Sequence, residues 1–593
     1  MIQITERLLT LRNKMDAYGL DACIIPSGDP HLSEYPAQHW KVREWLSGFT
    51  GSAGTLVVTA EEAGLWTDSR YYLQAEKQLD AACIQLFREG QPGVPDIASW
   101  LNEVLMPGNK VGVNGAILST TRARELTRQL RVGRIQLDQT VSPAEEIWDT
   151  RPPIPEDTVA IHDDTWNGLT RAEKLQSIRT LMAKEEVSYY ITATLDEIAW
   201  ALNLRGTDVP FNPVFHAFLI VTPDQAWLFI NPHKLTAQIA RDLSADDVKV
   251  YMYDHFYRHL KKLHDEATIL ADPDRINSAI FTALPSRAIK KESSSIITRL
   301  KACKTTKEIN HFRETMVHDG IAMVHFLHWL ETSVGKEKIT EISAARKLKA
   351  FRAEQPGFAG ESFAAISAYE QHGAIVHYNA APETDQQLKP NGLYLIDSGG
   401  QYPGGTTDIT RTIAMGPVSA QAKTDYTLVL KGHINLARAI FPAGTRGVHL
   451  DILARKPLWD NGLNYGHGTG HGIGYFLNVH EGPQSIRPQD NGIELEAGMI
   501  TSNEPGLYRN DEYGIRIENL ILCVNHDETA FGKFFKFETL TLCPIDTTLI
   551  VRELLTTEEV TWLNNYHHQV YELLAPGLDK ELQQWLKQKT ATI

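Results

Sequence analysis

NGLYLIDSGGQYPGGTTDITRT, residues 391–412, reads as two strands around a glycine-rich turn, and each strand carries one aspartate, Asp397 and Asp408. A hairpin of this kind brings the two carboxylates close together. Asp397 ends an apolar run (Leu393, Leu395, Ile396), where an uncompensated carboxylate is costly to bury, so the pattern calls for a metal or a cationic partner. Standing alone, the pair reads better as two solvated turn aspartates.

Downstream, GHGTGHGIGYFLNVHEGP (466–483) presents His467, His471 and His480 among glycines that permit close backbone approach. Three histidines in one such stretch point to a site rather than to core packing. Two more acids follow. Glu504 stands at a turn in SNEPGLY (502–508), and Glu518 stands in YGIRIENLILC (513–523), whose alternation places Arg516 and Glu518 on one strand face and Ile515 and Ile517 on the other. Taken singly, each acid reads as structural.

Together, four carboxylates and one imidazole supply about four negative charges, which balances two divalent cations. Oxygen-rich ligation with a single imidazole points to Mn²⁺, with Co²⁺, Zn²⁺ or Fe²⁺ as alternatives, and argues against a thiolate zinc site. The chain lacks HExxH and GxSxG, so the common zinc-protease and serine-hydrolase chemistries fall away, and it lacks the glycine spacings of phosphate-binding loops.

With 593 residues the chain exceeds what one hydrophobic core serves. Its composition, 42% hydrophobic and 22% charged, is that of a folded protein. A net charge of −15 with no basic face argues against a nucleic-acid partner. Five scattered cysteines suit a reducing compartment and read as small buried hydrophobes. Glu6 and Arg7 interrupt the region where a signal peptide is apolar, and no stretch reaches membrane-spanning length, so the expectation is a cytoplasmic protein without a membrane partner.

Residues 4–20 have helical apolar spacing, DACIIPSGD reads as a buried strand, and 55–79 continues as strand, turn, strand and helix. RPPIPED (151–157) breaks the chain, after which a helix near 170–184, the strand VSYYITA, the helix DEIAWALNL and the strand pair HAFLIVT and AWLFI repeat the theme. Thr305 with Glu308 forms a capping-box pattern opening an amphipathic helix through Ile309, Phe312 and Met316. The expected organisation is therefore α/β, with two similar domains at 1–157 and 158–304 and a third at 305–593. Trp45, Trp66, Tyr71 and Trp200 read as packing residues.

At the acids and histidines the sequence resembles aminopeptidase P, the Xaa-Pro aminopeptidases of the pita-bread metallopeptidase group, in their long cytosolic three-domain form. The resemblance extends through VREWLSGFTGSAGTLVVT, LWTDSRYYLQA, DEIAWALNLRGTDVPFNPVFHAFLI and LTLCPIDTTLI. It implies two creatinase-like domains before a pita-bread catalytic domain with a C-terminal extension, and five metal ligands at Asp397, Asp408, His471, Glu504 and Glu518. It further implies that His377, His467 and His480 are active-site histidines and that Arg516 lies near the peptide beyond proline. A bridging hydroxide would act as nucleophile, with Glu504 as proton shuttle and His377 and His480 holding the oxyanion or the proline-side carbonyl. The implied substrates are peptides with proline second, and the implied assembly is a homodimer. Prolidase, acting on Xaa-Pro dipeptides with the same fold and metals, is the alternative; a relative that has lost its ligands and acts as a binding module is set aside, since all five are present.

Overall fold

The computed structural model describes residues 2–593, and the chain divides into two compact units. The first comprises the chain up to Ile161 together with Leu169–Ile297; the second comprises His162–Gly168 and Thr298–Ile593.

The first unit contains the expected duplication. One six-stranded sheet runs in the order Gln85–Arg88, Ala63–Thr67, Thr55–Thr59, Ala22–Pro26, Lys110–Val113, Gln136–Asp138. The other runs Val248–Tyr251, Ala226–Phe229, Phe218–Val221, Tyr189–Thr192, Thr268–Ala271, Ile289–Glu292. Both share one pattern of strand directions: an antiparallel meander of three strands at the centre, extended by parallel strands on either side. The central strands Ala22–Pro26, Thr55–Thr59 and Phe218–Val221 are nearly continuous apolar runs, buried on both faces, whereas the outermost strands Gln136–Asp138 and Ile289–Glu292 are polar and more exposed. Trp66, Tyr71 and Trp200 are buried, and Trp45 stacks on Trp148 at 5.2 Å, which is the packing role expected of them.

The second unit opens with a long helix, Thr306–Ser333, whose Thr305–Glu308 capping box forms in full. Phe312, Met316 and Met323 line its buried face. Asp319 on this helix and Arg352 on the following helix, Glu341–Ala353, form a buried two-point ion pair at 2.8 and 3.1 Å, and Tyr402 Oη also donates to Asp319. Two sheets carry the site. A three-stranded one joins Ile366–Tyr369, Leu393–Ser398 and Ile409–Ala414; a six-stranded one runs Ile440–Pro442, Gly532–Thr539, Asn519–Thr529, Ile500–Asn503, Gly470–Gly472, Glu481–Ile486. The helix Thr557–Leu574 places Leu563, Tyr566 and Val570 in the same core as Phe312 and Met316.

Two local readings change. The turn between the two aspartate strands is itself a ribbon, Gly400–Tyr402 with Gly405–Thr406, belonging to a separate three-stranded sheet. The segment 513–523 is not one strand. Tyr513–Arg516 pairs with Gly506–Arg509 as a hairpin, Ile517 and Glu518 leave the ladder, and a new strand starts at Asn519. Both of its faces are buried, so alternation could not report where the ladder breaks.

Candidate metal centre

Asp397 pairs across the sheet with Thr410, two residues past Asp408, so the antiparallel register sets the two aspartates side by side. Asp408, His471 and Glu518 each offer a ligand atom, and these atoms lie within 4.8 Å of one another. His471 Nε2 stands 3.4 Å from Asp408 Oδ2 and 3.6 Å from Glu504 Oε1. The other ring nitrogen, Nδ1, is 3.0 Å from Gly472 O. A carbonyl oxygen only accepts, so Nδ1 carries a proton, and Nε2 is the nitrogen left facing the carboxylates, where it would ligate a metal once its own proton is displaced.

The surroundings hold each acid in place. Glu518 is 1% exposed; Thr410 Oγ1 donates to its Oε2 at 2.7 Å and its own N–H donates to Thr410 O. Ser502 Oγ donates to Glu504 Oε1 at 3.2 Å. Arg411, buried, donates from Nη1 to both Thr410 O and Glu518 O and from Nη2 to Asn519, Cys543 and Tyr566, so the helix Thr557–Leu574 is tied to the backbone beside Asp408 and Glu518. Gly470 runs so close to its neighbour strand that a Cβ there would sit 2.1 Å from Ser502 O; only glycine lets the His471 strand pair at that distance.

Electrostatics state the need for cations. Burial pushes Asp397 up to about 6, against the pull of Arg516 and with Asp408 adding to the rise. Burial and the neighbouring acids also raise Glu518 and, against His471 and Arg516, Glu504. Burial lowers the His471 proton affinity, but Asp408 and Glu504 outweigh it and lift it to about 9. Asp397 Oδ1 is buried with no hydrogen-bond partner. Hard oxygen donors, one oriented imidazole and an orphaned carboxylate oxygen fit divalent cations.

The remaining predicted residues fall into three positions. The His480 ring meets His471 edge-on at 4.3 Å between centroids. His467 lies one layer out: its Nδ1 donates to Gly468 O, so its Nε2 accepts from Tyr508 Oη at 2.8 Å. His377 is half-buried in a turn closed by Tyr378 N–H on Ile375 O, just beyond the turn Glu370–Ala374 that packs on the Tyr513–Arg516 strand. Arg516 is tied to the acid cluster through Asp397. It is 2% exposed, and its Nη2, Nη1 and Nε donate to Asp397 Oδ2, Tyr508 Oη and Thr410 Oγ1 at 2.6, 2.7 and 3.1 Å. The sequence reading missed Thr410 and Tyr508. Thr410 carried a usable signal, two residues from Asp408 on one strand; Tyr508 carried none, because only the hairpin's packing aims it.

The sheets and the acid cluster define a metallopeptidase catalytic domain, and known proteins agree. Residues 310–525 match the model for metallopeptidase family M24 and 533–593 the C-terminal region of peptidase M24, while 7–149 and 150–308 each match a creatinase/prolidase N-terminal domain. Aminopeptidase P2 of Arabidopsis thaliana is 42% identical, covering 99% of this chain and 88% of its own. The crystal structure of an X-prolyl aminopeptidase from Caenorhabditis elegans, a cytosolic enzyme with a di-nuclear active site, superimposes with a TM-score of 0.96 at 33% identity over 100% of both chains. A Xaa-Pro dipeptidase from Bacillus anthracis, at 22% identity and a TM-score of 0.51, shares the fold over 64% of this chain and 99% of its own. The chain belongs to the aminopeptidase P, or Xaa-Pro aminopeptidase, family.

Proposed function

We propose that this protein hydrolyses the bond between the N-terminal residue and a following proline in peptides, using two divalent cations held by Asp397, Asp408, His471, Glu504 and Glu518. The observation that carries this reading is the convergence of His471 Nε2 with Asp408, Glu504 and Glu518 beside the orphaned Asp397 Oδ1. Bound there, the cations supply Lewis acidity that activates water and polarises the scissile carbonyl.

The protein's own residues do the rest. Glu504 Oε1 takes the proton of the attacking water and returns one to the leaving nitrogen. The imidazoles of His377 and His480 donate to the oxygen that gains charge, and His467, fixed by Tyr508, shapes the proline side. The carboxylate oxygens around the cations attract a protonated α-amino group and place cleavage at the N-terminus. Mn²⁺ is the metal that the donor set favours. In the same reading, residues 1–157 and 158–304 are creatinase-like domains, 305–593 is the catalytic domain with its extension, and the protein is a cytoplasmic homodimer. Among the described residues no helix is long and apolar enough to cross a membrane, and none of the five cysteines is paired.

Prolidase activity would need a group for the carboxylate that directly follows proline. Arg516, the residue able to serve it, has its guanidinium engaged by Asp397, Tyr508 and Thr410. Mass spectrometry of digests of Xaa-Pro-Yaa, Xaa-Ala-Yaa and Xaa-Pro substrates tests the reading. Release of Xaa from the first set supports it; cleavage confined to the dipeptides overturns it.

A further inference from the structure

In the first unit, the helix Thr120–Leu130 and the residues after it carry Arg122, Arg124, Arg128, Arg131 and Arg134 against a single acid, Glu125, in a chain whose net charge is −15. Arg124, Arg128 and Arg131 recur at helical spacing and line one wall of a cavity of about 370 Å³. Its other wall is Ser278, Phe281 and Thr282, so the cavity lies along the seam between the two α/β sheets' helices. None of the lining residues is acidic.

The hydrogen-bonding pattern shows what such a cavity has left to offer. The hydroxyl protons of Thr120, Thr127, Ser278 and Thr282 are all committed, to Ile276 O, Ala123 O, Gln139 Oε1 and Ser278 O respectively. Because Ser278 occupies Gln139 Oε1, the amide Nε2 of Gln139 remains a donor at the cavity wall. Glu292 holds Arg124 by two bonds of 2.7 Å, and Arg122 holds Glu125, so both neighbouring carboxylates are engaged. Arg128 and Arg131 are exposed and make no ion pair. The favourable position of a cation near a helix C-terminus accounts for Arg128 being tolerated; it does not account for an acid-free cavity whose open donors are two planar forks and an amide.

We propose that this cavity binds a phosphate-bearing small anion, a phosphate monoester or free phosphate, through Arg128, Arg131 and Gln139. Two guanidinium forks at i, i+3 match a dianionic tetrahedral oxyanion, which Arg recognises at two points. Bound there, the anion is held by groups of the first sheet's half, facing Ser278, Phe281 and Thr282 across the seam, at a place that holds none of the residues assigned to peptide hydrolysis.

Titration calorimetry on the full-length, metal-loaded protein with AMP, and separately with inorganic phosphate, at fixed ionic strength tests this. Charge reversal, Arg128→Glu/Arg131→Glu, should weaken binding at least tenfold, Arg128→Gln/Arg131→Gln should weaken it less, and tripeptide hydrolysis should stay unchanged in both. Tighter binding of AMP than of phosphate identifies an ester as the ligand, and equal affinities identify the phosphate group alone; either supports the site. Binding that survives both double variants, or no binding of either probe at millimolar concentration, overturns it.

Discussion

Arg516 Nη2 lies 2.6 Å from Asp397 Oδ2, both side chains are withdrawn from solvent, and the second oxygen of that carboxylate has no protein partner. One oxygen is thereby fixed by the protein and the other left to a cation. Such outer partners tune metal affinity by roughly 10–100-fold. Arg516→Ala is expected to weaken metal binding by about that factor, and Arg516→Lys, which keeps charge but loses the fork, to fall between. Metal retained after dialysis, compared with the parent protein, checks this; undiminished retention in Arg516→Ala would show that Asp397 does not need the guanidinium.

Ligand and non-ligand histidines should separate by phenotype. Asp408→Ala or His471→Ala should lose metal and activity together, since each removes a converging donor. His377→Ala should keep its metal and lose turnover by roughly 10²–10³-fold, as for removal of one oxyanion donor. Metal analysis alongside tripeptide kinetics decides it, and loss of metal from His377→Ala as complete as from Asp408→Ala would erase the distinction.

Gly514 and Gly373 touch backbone to backbone: a Cβ on Gly514 would sit 1.7 Å from Gly373 O. That contact seats the turn leading to His377. Gly514→Ala must push the turn away, and misplacement by about 1 Å can cost on the order of 10²-fold in rate. The expected result is lower kcat with metal content unchanged, and unaltered kinetics would mean that the turn position does not matter.

Acid should destabilise the fold partly through two histidines buried as neutral rings. Burial, assisted by Arg411, pushes His433 down to about 3 and His567 down to about 4. Unfolded histidine titrates near about 6.5, so below that pH the unfolded chain binds protons the native one refuses. Their contribution is therefore complete above about 6.5 and is lost as pH falls through the depressed values, by roughly 1.4 kcal/mol per pH unit for each ring. The stability advantage of the parent protein over His567→Gln should shrink between pH 6.5 and 4, measured by denaturant midpoints. A constant difference would remove His567 from the acid response.

The Asp319–Arg352 pair gives a stability test remote from the metal centre. Asp319→Ala leaves a buried guanidinium without its carboxylate, a loss of about 3–5 kcal/mol. Asp319→Leu/Arg352→Met, which removes both charges, should recover much of it. Thermal midpoints of the two variants check this, and equal destabilisation by both would assign the effect to packing instead of charge.

Much of this protein is legible along the chain. The Thr305–Glu308 capping box opens the helix it predicts, because a cap is satisfied by residues three positions apart. The doubled α/β pattern before residue 300 is readable since buried strands and helix punctuation are local features. The residue types of the candidate ligands are legible for a related reason: acids and histidines among glycines and apolar strands have few inexpensive roles.

Orientation was not legible. Nothing in YGIRIENLILC shows that the ladder breaks between Arg516 and Asn519 or that Arg516 turns toward Asp397. Those outcomes depend on Thr410, Tyr508 and Arg411, brought in from distant strands and held by a helix more than a hundred residues from some of its partners. The sequence by itself determined which chemical groups exist, the helix start that a capping box marks, and the charge that two cations must balance. Only the tertiary structure decided which carboxylate oxygen is pinned and which is left open, because a side chain's direction is set by non-local packing and hydrogen bonding, whereas periodicity reports no more than the face on which it stands.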